Sequence, residues 1–244
     1  LPLRMRILID SGNTRTKYAI SDDGLWLEEG IVDDFKSLEK KLLTKYPKLK
    51  YAIHADVSGA FSEKKLQDFF FKLEVHSVKS LNMPFQSAYN TPETLGDDRL
   101  AVVAAAMKKY PKQNCLIIDA GSCITFDLLT ANEQYLGGSI SPGLQMRFKA
   151  LHSFTGKLPH CSAPAYQLAL GTSTQESIQA GVVNGVKFEI EGQINALEQK
   201  FPSLTVILTG GDAVYLSKTV KNTIFAEPNF LAEGLDYILE YNNY

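Results

Sequence analysis

The stretch ILIDSGNTRTKYAI, residues 7–20, recurs in outline as LIIDAGSCITFDLL at residues 116–129. Aligned without a gap, Asp10 falls on Asp119, Gly12 on Gly121 and Thr16 on Thr125. Each copy is an apolar run, an acid-small-glycine corner with hydroxyl or amide side chains, and a second apolar run. That pattern reads as strand, turn, strand. Glycine at such a corner lets a bulky anion approach the backbone N–H groups closely. Ser11, Asn13 and Thr14 in the first copy, and Ser122 in the second, add side-chain donors. A carboxylate there would repel phosphate unless a cation lay between them, either a hydrated Mg²⁺ or an ion bound directly by oxygen. Asp-Gly corners also occur in ordinary hairpins. The ungapped repetition favours the phosphate reading, with two corners facing across a cleft and holding a polyphosphate from both sides.

The rest of the chain bounds what that pair of corners can belong to. With 244 residues, 45% of them hydrophobic, the chain can bury a substantial core in one large domain or two smaller ones. A formal charge of −2 gives no general reason to expect nucleic acid or an anionic membrane as partner. No apolar run approaches the roughly 18 residues that span a bilayer. The opening LPLRMRILID lacks the apolar stretch and cleavage site of a signal peptide. Met5 could be the natural start, with residues 1–4 preceding it. Cys115, Cys123 and Cys161 are odd in number and read as reduced packing residues, not as a disulfide framework or metal cluster. A soluble, cytoplasmic protein is expected.

Apolar periodicity predicts strands over residues 5–10, 16–20 and 25–31, a helix over 35–46, a strand over 51–57, a helix over 63–73 and a strand over 75–78. The segment DRLAVVAAAMKKY, residues 98–110, is alanine-rich with lysines in its last turn, and predicts a helix ending before Pro111. The pattern then restarts. Strands are expected over 115–119, 125–130 and 135–140, a helix opening at Pro142, a mostly helical stretch over 173–200, a strand over 204–208, and a helix over 230–241. Two successive units of this kind, with a boundary near residues 111–114, predict a duplicated α/β protein. The domains are expected at 1–112 and 113–244. Late in the chain, LTGGDA (residues 208–213) follows a strand, and Gly210 and Gly211 would let a flat ring or ribose approach the backbone. No GxxxxGK[ST] stretch is present, so this is not a P-loop enzyme.

Together these features resemble the two phosphate elements and the adenosine element of the superfamily of actin, the sugar kinases and acetate kinase. The resemblance implies duplicated ribonuclease H-like (actin-like ATPase) domains with an interdomain cleft. It narrows on an ordered set of motifs: DSGNTRTK (10–17), YNTPETLGDDR (89–99), DAGSCITFD (119–127), GGSISPG (137–143), TGKLP (155–159), GTSTQESIQAG (171–181) and TGGDA. In that order they are similar to the type III pantothenate kinases and span most of the chain. The resemblance implies phosphorylation of pantothenate by ATP, the first step of coenzyme A synthesis. It also implies Mg²⁺, a monovalent cation (K⁺ or NH₄⁺) and a homodimer, with no nucleic acid or membrane partner.

The same resemblance distributes roles. Asp98 matches the acid of a G-x-D-R motif and is expected to be the general base at the pantothenate hydroxyl. Helix capping is its ordinary alternative. Asp97 occupies the variable position of that motif, beside Gly96, and is expected to be a solvated neighbour or an N-cap. Arg99 suits the substrate carboxylate, which guanidinium grips bidentately; a surface ion pair is the alternative. Tyr89 and Thr174 match substrate-contacting positions. Asp10, Gly12, Asn13, Thr14 and Lys17 match the first phosphate corner, Ser122 the second, and Asp119 the monovalent-cation ligand. Ser122 stands where threonine is usual and Cys123 where a small residue is. Cys123 is unattractive as a nucleophile, and His54, His76, His152 and His160 receive no role. Ile178, Val182, Val183 and Val186 offer more apolar positions than one helix need bury internally, which predicts a subunit interface near Thr174. Two other readings stand beside this one: another small-molecule kinase of the superfamily, and an actin-like nucleotide switch without a small-molecule substrate.

Overall fold

A computed structural model describes residues 4–32, 34–57, 59, 63–220 and 225–244. The first three residues, ahead of the candidate start at Met5, lie outside that set. By contacts the chain forms two compact units. One comprises Leu1–Pro111, Glu133–Tyr135 and Asn229–Tyr244, the other Lys112–Asn132 and Leu136–Pro228.

The first unit contains β1 (Met5–Ser11), β2 (Thr16–Asp22), β3 (Leu25–Ile31), α1 (Phe35–Lys45), β4 (Leu49–Asp56), α2 (Glu63–Phe69), β5 (Glu74–Ser77), the two-residue β6 (Gln86–Ser87) and α3 (Asp97–Lys109). Its sheet runs β3-β2-β1-β4-β5. The first three strands pair antiparallel, through short polar turns, while β1–β4 and β4–β5 are parallel. Parallel pairing follows from the helical crossovers α1 and α2. Helix α1 opens on Asp34, whose carboxylate accepts the Ser37 N–H at 2.8 Å. Strand β6 pairs with Gln134 and Tyr135.

The second unit repeats the opening motif. Strands β7 (Cys115–Ala120), β8 (Cys123–Leu129) and β9 (Gln134–Pro142) lead into α4 (Leu144–Ser153) and the long α5 (Thr174–Glu198). Strand β10 (Thr205–Thr209), α6 (Ala213–Ser217) and β11 (Phe225–Ala226) follow. The strands lie in the order β11-β10-β7-β8-β9. Pro142 closes β9 and does not open the helix: Gly143 is the N-cap of α4, and its N–H is taken by Ser122 O at 3.1 Å. The apolar face of α5, including Ile178, Val182, Val183 and Val186, is buried against β7, β8, β10 and α4 in this unit's own core. Those four side chains are therefore not a surplus surface, as the sequence had suggested; helical spacing alone does not say which neighbour covers a face.

The terminal helix α7 (Phe230–Tyr241) packs in the first unit, along α3. Gly234 lets the two helices approach closely: a Cβ at 234 would overlap the backbone of Ala101. Ala101, Ala104 and Ala105 are all buried. Asp236 of α7 binds the buried Arg6 of β1 at 2.9 Å, and Arg6 also donates to Tyr244 O. Helices α3 and α7 thus pack side by side against the sheet, both touching β4.

Candidate active site

The first corner grows from the parallel ends of β1 and β4, where Asp10 pairs in register with Ala55 and Ser11 with Asp56. The Gly12 N–H donates to Arg15 O at 3.1 Å and closes a turn in which Asn13 and Thr14 are exposed. Lys17, on β2 opposite Asp10, is exposed as well. Asp10 is half-buried, and its pKa is pushed up to about 6. Burial is the main cause; Lys17 opposes it, and the charge of Asp98 adds to it. A half-buried carboxylate that feels a second carboxylate is a place where a cation fits. Beneath the corner, buried His54 on β4 sits 3.2 Å from Ser11 Oγ. Burial lowers its pKa, against the pull of Asp56, so the imidazole stays neutral near pH 7. The sequence reading gave His54 no role; it supports Ser11.

The N-terminus of α3 brings its acids to the same unit. Gly96 is the N-cap and offers no side-chain hydrogen bond. Asp98 folds back over it, so that a Cβ at 96 would overlap the Asp98 carboxylate, while Asp98 Oδ1 accepts the Arg99 N–H at 2.8 Å. A side chain at 96 would therefore require the Asp98 carboxylate to move. Asp97 is neither solvated nor the cap: it is only 8% exposed. Its carboxylate accepts the Asp56 N–H at 3.3 Å and lies 3.8 Å from Lys79 Nζ. Burial raises its pKa, against the lowering effects of the Asp56 N–H and of Lys79. Arg99 is buried too, which removes the surface ion-pair alternative. Its guanidinium carbon lies 5.6 Å from the ring centre of Tyr89, which stacks in turn on buried Tyr135 at 6.2 Å. Nothing in the sequence placed Tyr135 there, since the pairing of β6 with β9 is long-range.

The second corner is tighter. Asp119 pairs with Thr125 and Ala120 with Ile124, and the Gly121 N–H donates to Cys123 O at 2.8 Å around a two-residue turn. Ser122 is exposed at its tip. Two other segments press on it. Gly143 leaves no room for a Cβ against the carbonyls of Gly121 and Ser122. Gly210, with φ at +94°, would drive a Cβ into Ala120 O and the Asp119 carboxylate. The Asp212 N–H donates to Ala120 O at 2.9 Å. Gly211 has open space where its Cβ would stand, so of the paired glycines it is Gly211 that leaves the backbone approachable.

Thr174 opens α5 just after the N-cap Ser173, whose hydroxyl accepts the Glu176 N–H at 3.2 Å. It lines an open, mostly apolar groove of about 630 Å³ with Arg147, Ala150, Leu151, Ile178 and Val182. The structure therefore groups Tyr89 with Arg99 and Asp119 with Gly210, and lets Asp10 feel the charge of Asp98. Among the described residues no cluster of three or more His, Cys, Asp or Glu side chains could cage a metal. The donor set fits ions held by one carboxylate, with other oxygens supplied by phosphate and water. Among the described residues, too, no helix is long and apolar enough to cross a membrane.

Comparison with known proteins identifies this arrangement. A family profile described as type III pantothenate kinase matches residues 6–196. A type III pantothenate kinase from Christiangramia forsetii is 45% identical over 98% of this chain and 99% of its own length. One from Flavobacterium johnsoniae is 42% identical over 97% and 98%. In fold, the chain is similar to the activator of 2-hydroxyisocaproyl-CoA dehydratase from Clostridium difficile, solved with bound ADPNP, at a TM-score of 0.55. That likeness has 12% identity over 98% of this chain and 96% of the other, and shows the actin-like ATPase fold alone. Similarity to two such kinases over nearly the full length, with a family profile that matches most of the chain, places it in the type III pantothenate kinase family, which phosphorylates pantothenate in coenzyme A synthesis.

Proposed function

We propose that Asp98 is the general base of this kinase, and that the two corners divide the work of holding ATP. The observation that carries this reading is that Asp98 lies in the first turn of α3, whose first residue, Asp97, binds the end of β4 beside the first corner; the charge of Asp98 is the smallest of the influences on the Asp10 carboxyl. A carboxylate there orients the pantothenate hydroxyl and accepts its proton as the terminal phosphoryl group passes to the hydroxyl oxygen and ADP departs. Buried Arg99, stacked on Tyr89, presents a guanidinium for the substrate carboxylate. Gly96 caps the helix that carries Asp98, and Asp97 borders the substrate through the same turn.

For ATP, Gly12, Asn13, Thr14 and Lys17 serve the first phosphate corner, and Asp10 places Mg²⁺ through its water. Ser122 serves the second corner, Asp119 holds a monovalent cation, and Gly210 and Gly211 line the nucleoside. Bound cations would neutralise the phosphate charge that these carboxylates otherwise repel. Pantothenate is the partner molecule, and the enzyme works in the cytoplasm as a homodimer. The groove beside Thr174 and exposed Phe188, 64% accessible on α5, supports a subunit contact on that face. We read the duplication as domains 1–112 and 113–244, the second lending its terminal helix to the packing of α3.

The test is a phosphorylation assay with ATP, Mg²⁺ and pantothenate, run with and without potassium, alongside sizing chromatography. Phosphopantothenate formed faster with potassium, by a dimer, is expected. No product in either condition would overturn the reading, and a fully active monomer would overturn the dimer.

A further inference from the structure

Asp97 and Lys79 take no part in the proposed proton transfer, yet they meet beside the residue that does. Asp97 is the first residue of α3, and its neighbours in sequence are the cap Gly96 and the proposed base Asp98. A helix start that lacks a side-chain cap needs another anchor. Here the buried Asp97 carboxylate supplies it, taking the N–H of Asp56 at the end of β4 and facing Lys79 Nζ at 3.8 Å. Lys79 sits in the 3₁₀ turn Val78–Ser80, and its Nζ also donates to Glu93 O at 3.0 Å. Glu93 belongs to the turn Pro92–Thr94, midway between Tyr89 and Gly96. One ammonium group therefore ties the middle of the substrate segment 89–99 to its end, and the carboxylate it faces ties that end to the sheet.

We infer that Lys79 and Asp97 are a positioning pair, holding Asp98 and Arg99 in register with the first phosphate corner. The inference rests on the reading of Asp98 as base. Neither residue needs to touch the reacting atoms: misplacing a catalytic group by about 1 Å can cost about 10²-fold in rate. Lys79 is the better probe, because its side chain is 44% exposed and can be changed with little risk to the core.

Lys79→Met should lower kcat about tenfold and raise KM for pantothenate, while KM for ATP stays within about twofold, since a small tilt of α3 costs less than a full 1 Å displacement. Lys79→Arg should restore most of the loss. Asp97→Asn should weaken the same two constants, and the double variant should be no worse than the poorer single one, as residues acting through one contact are non-additive. A purely structural role would lower melting temperature and leave the constants per folded enzyme unchanged; that result, or full additivity, would overturn the pairing. Asp98→Asn run in parallel separates the two ideas. If it keeps its turnover, the base assignment fails by itself, and the pantothenate KM of Lys79→Met, with its rescue by arginine, still decides whether the pair positions the substrate segment.

Discussion

The two copies of the repeated corner start from the same residues and end in different environments. At Asp10 the turn is four residues wide, its tip exposed, and a Cβ at Gly12 would come no closer than 3.4 Å to Arg15 O. At Asp119 the turn is two residues wide, and Gly143 and Gly210 fold down onto its carbonyls. The first corner is an open cradle, exposed at its tip. The second is packed more tightly, with Gly143 and Gly210 against its backbone. A repeated motif therefore specifies the strand–turn–strand, but the segments that return to it decide how closely its backbone is packed.

Substitutions can break that contrast in order of effect. The largest change in stability should come from Gly210→Ala, where a left-handed φ and a blocked Cβ together cost about 2–5 kcal/mol. Chemical denaturation of the unliganded protein measures it, and an unchanged midpoint would mean that the second corner is not packed as described. Asp10→Asn should do the reverse. A carboxyl whose folded pKa is raised contributes stability at low pH that is lost as pH rises through about 6. Removing its charge should then stabilise the unliganded protein at pH 8 by about 1–3 kcal/mol. The same sign predicts that KM for ATP·Mg rises in the unmodified enzyme as pH falls through about 6. A stability gain absent at pH 8, or one equally present at pH 4, would contradict the burial of that charge.

Asp119→Asn should leave the fold nearly intact and weaken activation by potassium; a potassium titration that overlays that of the unmodified enzyme would remove the cation assignment. The smallest structural effect belongs to Gly12→Ala, expected within about 0.5 kcal/mol of neutral because the added methyl meets ordinary contact distance. Its KM for ATP should still rise, since the methyl stands where the cradle opens. Equal losses of stability in Gly12→Ala and Gly210→Ala would erase the difference between the corners.

What the sequence disclosed follows the range of each interaction. The corner repeat, the alanine-rich helix and the GDDR turn are local patterns, and the strands and helices stand close to where periodicity puts them. Asp97 was misread because its burial depends on Asp56 and Lys79, which are distant along the chain. The valines of α5 belong to a core whose other walls come from β7, β8 and β10. The return of α7 to the first unit rests on Gly234 against Ala101 and Asp236 against Arg6, pairings that no window of sequence reveals. Pro142 could have opened a helix; Ser122, from the far corner, takes the N–H that makes Gly143 the cap instead.

The central claim is that the acid of GDDR beside the first corner takes the pantothenate proton, and Asp98→Asn tests it most directly. Asparagine keeps the size of the side chain, and its amide oxygen can still accept the Arg99 N–H that Asp98 Oδ1 takes. It cannot accept the proton. The variant should stay folded and bind ATP, with kcat for pantothenate phosphorylation reduced by about 10²–10⁴-fold. Near-normal turnover in Asp98→Asn, with turnover abolished instead in Asp97→Asn, would show that the other carboxylate of the pair carries the chemistry.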